Sequence, residues 1–356
     1  MKIGMLTSGG DCQGLNATLR GVAKSLYHLM PNVEIYGIID GYKGLIEGTW
    51  RKMEQDEFSG ILRRGGTILG SSRQPFKAMR EANENNEDKL SLMLKNYKQG
   101  EFDALVILGG NGTHKSAHML SKNGVHVVTL PKTIDNDVYG TDLTFGFDSA
   151  VEKATSVIDA IHTTAAAHGR IFVIEVMGHK VGWLTLYAGL AGGADVVLIP
   201  EIPYELDAVI KVIKKRNAIG RNFSIIAIAE GAVTAEEAAR PKKERKGSSS
   251  VSSSAYLTSL LSDRLDQDVR AVVPGHFQRG GEPTPTDRVL CSRLGAKAGE
   301  LIRDKKFGRM VALRGNNIVT VPLDDVAGKL KYVPHDCDMI REARLMGISF
   351  GDHRTE

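Results

Sequence analysis

Lys2-Ile3-Gly4-Met5-Leu6-Thr7-Ser8-Gly9-Gly10-Asp11-Cys12-Gln13-Gly14-Leu15-Asn16 decides the class of this chain. Lys2–Leu6 is a short apolar run and reads as a strand. Three glycines follow, Gly9, Gly10 and Gly14, and then Leu15, Leu19, Val22, Leu26 and Met30 recur at helical spacing. Strand, glycine-rich turn and helix together form the repeating unit of a parallel α/β sheet. Outward from this stretch the same alternation continues. Val33–Ile39, Asp103–Leu108, Val125–Leu130, Arg170–Val176, Val196–Ile199, Phe223–Ala229 and Arg270–Val273 read as further strands. Their runs are continuously apolar, as expected of parallel strands covered on both faces. Asp148–His168 and Val181–Ala191 read as helices, and Tyr256, Leu257, Leu260, Leu261 and Leu265 form one helix face. The fold class expected is α/β, with two doubly wound, mainly parallel-sheet domains. The expected division is 1–144, 145–320, and a C-terminal extension 321–356 that crosses back.

The 356 residues suit about two domains of roughly 100–200 residues each. Hydrophobic residues make up 42% and charged residues 25%, which excludes a disordered or fibrous chain. No apolar run approaches the roughly 20 residues of a membrane span, so no membrane partner is expected. Met1-Lys2 leads into the first strand without the pattern of a signal peptide. Cys12, Cys291 and Cys337 make neither a disulfide framework nor a zinc spacing, so a cytoplasmic location is expected. The net charge is +4. Its basic runs, Lys214-Lys215-Arg216 and Arg240–Lys246, carry no interleaved aromatics. They read as solvated surface, with no nucleic-acid partner. Arg240–Ser254 is basic and then serine-rich, and reads as a mobile surface loop.

Four constellations carry chemistry. Thr7–Asn16 is a glycine-rich turn at a helix N-terminus, where backbone N–H groups can close on phosphate. It matches neither the dinucleotide fingerprint nor the Walker pattern. Gly109-Gly110-Asn111-Gly112-Thr113 repeats the arrangement after another strand. Pro131-Lys132-Thr133-Ile134-Asp135-Asn136-Asp137 places two carboxylates, a threonine and a lysine after a third. Such a carboxylate can take a proton from a hydroxyl or hold a metal. Gly275-His276-Phe277-Gln278-Arg279-Gly280-Gly281 brings a histidine and an arginine that suit an anion.

These four segments, in this order, resemble the 6-phosphofructokinase family from Ser8 to at least Arg288. Lys132–Asp137 and Gly275–Gly281 are the most specific parts. The inserted loop and the tail look like the branch with mixed ATP and pyrophosphate members. The resemblance implies an active site in the cleft between two domains, a donor-binding first domain and a fructose 6-phosphate-binding second one. It implies Asp135 as the base on the sugar 1-hydroxyl, with Thr133 and Arg73 on the transferred phosphoryl group. Gly10, Arg73, Gly110, Asn111, Gly112 and Thr113 would take the donor. Asn111 and Asp137 would meet magnesium. Thr133, Asp135, Met177, Gly178, His179, Glu230, His276 and Arg279 would take the sugar phosphate, and Arg170 and Arg270 would reach it from a neighbouring subunit. The expected assembly is therefore a homodimer or homotetramer.

Two positions depart from the family pattern. Asn111 stands where the loop usually has Asp, and His179 where Met-Gly is usually followed by Arg. The donor is set by Gly112 and Lys132. Pyrophosphate users tend to carry Asp and Lys there, and ATP users Gly and Gly. Gly112 leaves room for the α-phosphate of a nucleotide, so ATP-dependent phosphorylation of fructose 6-phosphate in glycolysis is the reading expected. Its alternatives are the reversible pyrophosphate-dependent reaction and a weakly active sugar-phosphate-binding paralogue.

Overall fold

The computed structural model describes residues 1–81, 87–241 and 252–353. Most of the low-complexity loop expected at Arg240–Ser254 lies outside the described residues. In chain order the strands are β1 (Lys2–Thr7), β2 (Glu34–Ile38), β3 (Trp50–Met53), β4 (Ala104–Gly109), β5 (Val127–Pro131), β6 (Ile171–Val176), β7 (Val196–Leu198), β8 (Ser224–Ala229), β9 (Val269–Val272), β10 (Arg309–Arg314) and β11 (Asn317–Pro322). The chain divides into two compact units. Unit 1 is Met1–Ser149 with Arg279–Lys331, and unit 2 is Ala150–Gln278 with Tyr332–Glu356.

Unit 1 carries a sheet in the order β11-β10-β5-β4-β1-β2-β3. The five inner strands pair in parallel, and β3 and β11 close the edges antiparallel. Every residue of β4 and β5 is buried, as their continuous apolar runs require. The strand order reverses between β1 and β4, so the crevice beyond their C-terminal ends is the expected ligand position of such a sheet.

Unit 2 carries the parallel sheet β7-β8-β6-β9. Its order reverses at β6, between β8 and β9. Ile171, Val173, Ile226, Ile228, Leu257 and Leu261 belong to one buried cluster on this sheet.

The chain crosses back earlier than expected. Residues 279–320 belong to unit 1 instead of a domain 145–320, and the tail 321–356 divides after Lys331. The reason is physical. Without β10 the β5 edge would expose its unpaired backbone groups. Arg309 and Met310 pair with Val128 and Thr129, and β11 completes the hairpin. The helix Pro285–Arg303 also packs on Leu15–Leu29 at a glycine crossing. A Cβ on Gly295 would stand 2.7 Å from the Gly21 carbonyl carbon.

Candidate active site

In unit 1 the loops after β1, β4 and β5 belong to three neighbouring strands. Ser8 N–H donates to Leu108 O at 2.9 Å, and Lys132 N–H to Gly109 O at 3.0 Å, which ties the loops together. The helix after the first loop begins at Leu15 and that after the second at Asn111. Neither has a side-chain cap or an acidic residue in its first turn. Their leading N–H groups and positive dipole ends are therefore left for an anion.

Gly10 is where the charges meet. A Cβ there would stand 3.2 Å from Arg279 Nη1 and 3.3 Å from Arg73 Nη2. Arg279 donates to Asp11 O at 3.0 Å, and Lys132 Nζ donates to Gly10 O. Ser71 Oγ donates to Gly9 O at 2.6 Å, and Gly9 N–H donates to Ser72 O at 3.0 Å, which sets the segment carrying Arg73 against the loop. Among the described residues neither Arg73 nor Arg279 makes an ion pair. Three basic side chains thus meet at one glycine, and two of them make no ion pair among the described residues. Burial pushes the Lys132 ammonium below its ordinary range, with Arg279 acting in the same sense and Cys12, Asp135 and Asp137 opposing. Burial also pushes the Cys12 thiol up to about 12, which makes it a packing group and not a nucleophile. His114, behind the second loop, is held down to about 3 by burial and by Lys132. It stays neutral and meets Thr129 Oγ1 at 3.1 Å.

Gly112 opens outward, with nothing within 4 Å of where a Cβ would stand. Gly109 is the opposite case, since a Cβ there would lie 2.3 Å from Thr113 Cβ. Tyr42, fully buried, donates to Thr113 O at 2.9 Å and holds the helix start from behind.

The third loop is a tight turn. Asp135 N–H donates to Thr133 Oγ1 at 3.1 Å, and Thr144 Oγ1 donates to Thr133 O at 2.7 Å. Asn136 lies in the left-handed region at φ 52°. Its Oδ1 accepts from Thr144 N–H at 3.0 Å and from Lys331 Nζ at 2.8 Å. Asn111 donates its amide N–H to Lys329 O, which leaves Oδ1 as the atom it can offer a ligand. Among the described residues no three His, Cys, Asp or Glu side chains gather round one point. A carboxylate at Asp137 and an amide oxygen at Asn111 fit a hydrated magnesium carried on donor phosphates, not a caged ion.

Unit 2 brings the remaining residues to two ends of its sheet. Met177, Gly178 and His179 follow β6, Glu230 follows β8, and His276 follows β9. Gln278, buried, accepts from Met177 N–H at 3.1 Å and donates to Gly275 O at 3.2 Å. Glu230 N–H donates to Val176 O at 2.9 Å, and Ser253 Oγ donates to Glu230 O at 2.7 Å. Gly231 permits the closest approach, since a Cβ there would fall 2.0 Å from His179 O. Arg170 and Arg270 lie elsewhere. Arg170 precedes β6, and Arg270 pairs with Phe172 near the start of β6. Both hold Asp268 Oδ2, at 2.7 and 3.1 Å. Six strand residues separate Arg170 from Met177, roughly 20 Å at about 3.3 Å each, and Arg270 stands level with Phe172, four strand residues short of Met177.

Sequence reading had assigned no role to Lys331, Gln278 or Tyr42. Gln278 stood inside a recognised segment, but its work is to join two loops. Lys331 sits in a tail without any motif, and no pattern pointed to it.

The family model for phosphofructokinase matches residues 2–302. The ATP-dependent 6-phosphofructokinase of Spirochaeta thermophila is 49% identical, over 98% of this chain and 97% of that protein. ATP-dependent 6-phosphofructokinase 3 of Bacteroides thetaiotaomicron is 46% identical, over 99% of this chain and all of that one. Among solved structures, Pichia pastoris phosphofructokinase in the T-state superimposes with a TM-score of 0.79 at 30% identity, covering 91% of this chain and 35% of that longer one. With the β1, β4 and β5 loops of unit 1 tied together and a match over most of its length, this chain belongs to the phosphofructokinase family.

Proposed function

We propose that this protein transfers the terminal phosphoryl group of ATP to the 1-hydroxyl of fructose 6-phosphate. The observation that carries this reading is the meeting of Arg73, Lys132 and Arg279 at Gly10, beside two uncapped helix N-termini. The Asp135 carboxylate takes the hydroxyl proton as the oxygen attacks the terminal phosphorus. The bond to the bridging oxygen breaks and ADP leaves. Charge builds on the equatorial phosphoryl oxygens, and fixed cations already in place lower that barrier without reorganising. Thr133 Oγ1, oriented by Asp135 N–H, is the group that faces the moving phosphoryl. Gly10, Gly110, Asn111, Gly112 and Thr113 hold the donor. Magnesium, held by Asp137 and the Asn111 Oδ1, would neutralise donor phosphate charge.

Met177, Gly178, His179, Glu230 and His276 hold the sugar phosphate in unit 2. Arg279 acts on the transferred group, since its guanidinium lies at Gly10. Arg170 and Arg270 stand at the far end of the unit 2 sheet from those loops. They therefore serve the sugar phosphate of a second copy of the chain, and the working form is at least a dimer.

ATP is favoured as donor because Gly112 faces open space and because relatives with 49% and 46% identity carry ATP-dependent names. Lys132 on the Gly10 carbonyl is the observation that favours pyrophosphate. Side-by-side turnover with the two donors decides. Faster turnover with ATP is expected, and a preference for pyrophosphate would reverse the assignment.

A further inference from the structure

Residues 328–331 run across unit 1 as a strap that touches two loops of the site. At one end Lys329 O accepts the Asn111 amide N–H. At the other, Leu330 bridges Val138, and Lys331 N–H donates to Asp137 O at 3.0 Å. The Lys331 side chain then reaches under the turn. Its ammonium donates to Asn136 Oδ1 at 2.8 Å, Thr141 O at 3.0 Å and Asp142 O at 2.8 Å. Asn136 needs that support. It holds a left-handed backbone conformation between Asp135 and Asp137, where a non-glycine residue is strained. Thr144, bonded to the same Asn136 oxygen, carries the link on to Thr133 O.

We propose that Lys331 is a positioning residue that fixes the Thr133–Asp137 turn, and that the strap joins this turn to the donor loop through Asn111. The proposal rests on the phosphoryl-transfer reading for its kinetic consequence, but not for its structural one. The position of Asn111 acquires a reason from it. An amide can donate to the Lys329 carbonyl, whereas a carboxylate would place two acceptors face to face. The departure from the usual Asp is therefore matched by this chain's own strap.

The test uses the full-length protein with Lys331→Met and Lys331→Gln. Methionine keeps the stem and loses all three bonds, and glutamine keeps a donor amide. Amide exchange over residues 136–144 should accelerate at least tenfold in Lys331→Met and less in Lys331→Gln. Exchange in β4 should not change. With ATP and fructose 6-phosphate, kcat should fall about 10- to 100-fold in the methionine variant, since misplacement by about 1 Å has that scale of effect. KM for fructose 6-phosphate should stay within threefold, and glutamine should recover part of the rate. Loss of exchange protection throughout unit 1, or a KM change as large as the kcat change, would show a merely structural lysine and overturn the proposal. If Lys331→Met does not fold, Lys331→Gln alone decides by the same two readings. Unaltered exchange over 136–144 in a folded variant would overturn it directly. A wild type inert with ATP would sink the functional reading while the exchange result still judged the strap.

Discussion

The switch points of the two sheets are built on opposite plans. At the β1–β4 switch of unit 1, cations meet at Gly10 and uncapped helices begin within the same loops. At the β6 switch of unit 2 the loops offer backbone, Glu230, an exposed His179 and an exposed His276. The two arginines expected to hold the sugar phosphate are at the other end of that sheet, where they share the one carboxylate of Asp268. Unit 1 is self-sufficient in positive charge for a polyphosphate. In unit 2, Arg170 and Arg270 lie at the opposite end of the sheet from its switch-point loops, which is the ground for the proposed dimer. Changes in unit 1 should therefore act on turnover, and changes at Arg170 or Arg270 on sugar-phosphate affinity.

The largest effect expected is from Asp135→Ser. Turnover should fall by about 10²- to 10⁴-fold, the usual range for a general base, while fructose 6-phosphate binding persists. Steady-state kinetics with calorimetric binding checks this, and full activity would remove Asp135 from its role.

Gly112→Asp comes next. Position 112 has open space around it, and its backbone is not left-handed, so the variant should fold normally. The new carboxylate would stand where the α-phosphate of ATP passes. Two like charges about 4 Å apart at an effective dielectric near 20 differ by about 4 kcal/mol, close to a thousandfold. ATP use should collapse while any pyrophosphate use suffers less. An unchanged rate with ATP would place the nucleotide elsewhere.

Arg270→Ala sharpens the other side of the comparison. A charge-assisted hydrogen bond contributes about 1.5–3 kcal/mol, so KM for fructose 6-phosphate should rise roughly 10- to 100-fold with kcat little changed. Hybrids of Arg270→Ala and Asp135→Ser subunits should regain part of the activity. Hybrids that form and stay inactive would count against a site shared between copies. Asn111→Asp should have a smaller effect. The gain of a charge for magnesium competes with the loss of the amide bond to Lys329 O. A several-fold rise in KM for ATP and faster tryptic cleavage after Lys329 are expected. A lower magnesium requirement with unchanged cleavage would mean that charge at this position outweighs the strap.

The smallest effect on turnover concerns Asp287, which is read in stability. Buried at the start of its helix, it accepts from Gly146 N–H at 3.1 Å, Ser149 N–H at 2.9 Å and Ser149 Oγ at 2.5 Å. Burial nevertheless raises its carboxyl to about 6. The folded state therefore binds a proton that the unfolded state has lost, between about pH 4 and pH 6. The Asp287 contribution to stability is greatest below the unfolded value near 4 and declines as pH rises towards 6. A shift of about two units corresponds to about 3 kcal/mol. Denaturation of wild type and Asp287→Asn across pH 4–7 should show this slope in the wild type only. Parallel curves would refute the assignment.

The sheets were legible because burial on both faces leaves a direct mark. The run Phe223–Ala229 differs from the observed β8 by one residue at its start, and Asp103–Leu108 from β4 by one residue at each end. The three glycine-rich or acidic loops of unit 1 were legible for a related reason. A phosphate site at a strand end needs small residues and local polar groups, which sequence order preserves. The edge strands β3 and β11 carried no such mark. They are short or partly exposed, so their pattern is weak.

By itself the sequence determined which residues follow which strands, and so the family, the donor loop and the Asp135 turn. These depend on local spacing. Only the tertiary structure decided that residues 279–331 belong with the first unit, that Arg279 stands at Gly10, and that Lys331 holds Asn136. The Arg279–Gly10 and Lys331–Asn136 contacts join residues 269 and 195 positions apart, and a contact of such separation leaves no periodicity in a single chain. The same holds for Arg170 and Arg270. The family resemblance implied that they reach the sugar phosphate from a neighbouring subunit, and only strand register shows that they stand at the opposite end of their own sheet.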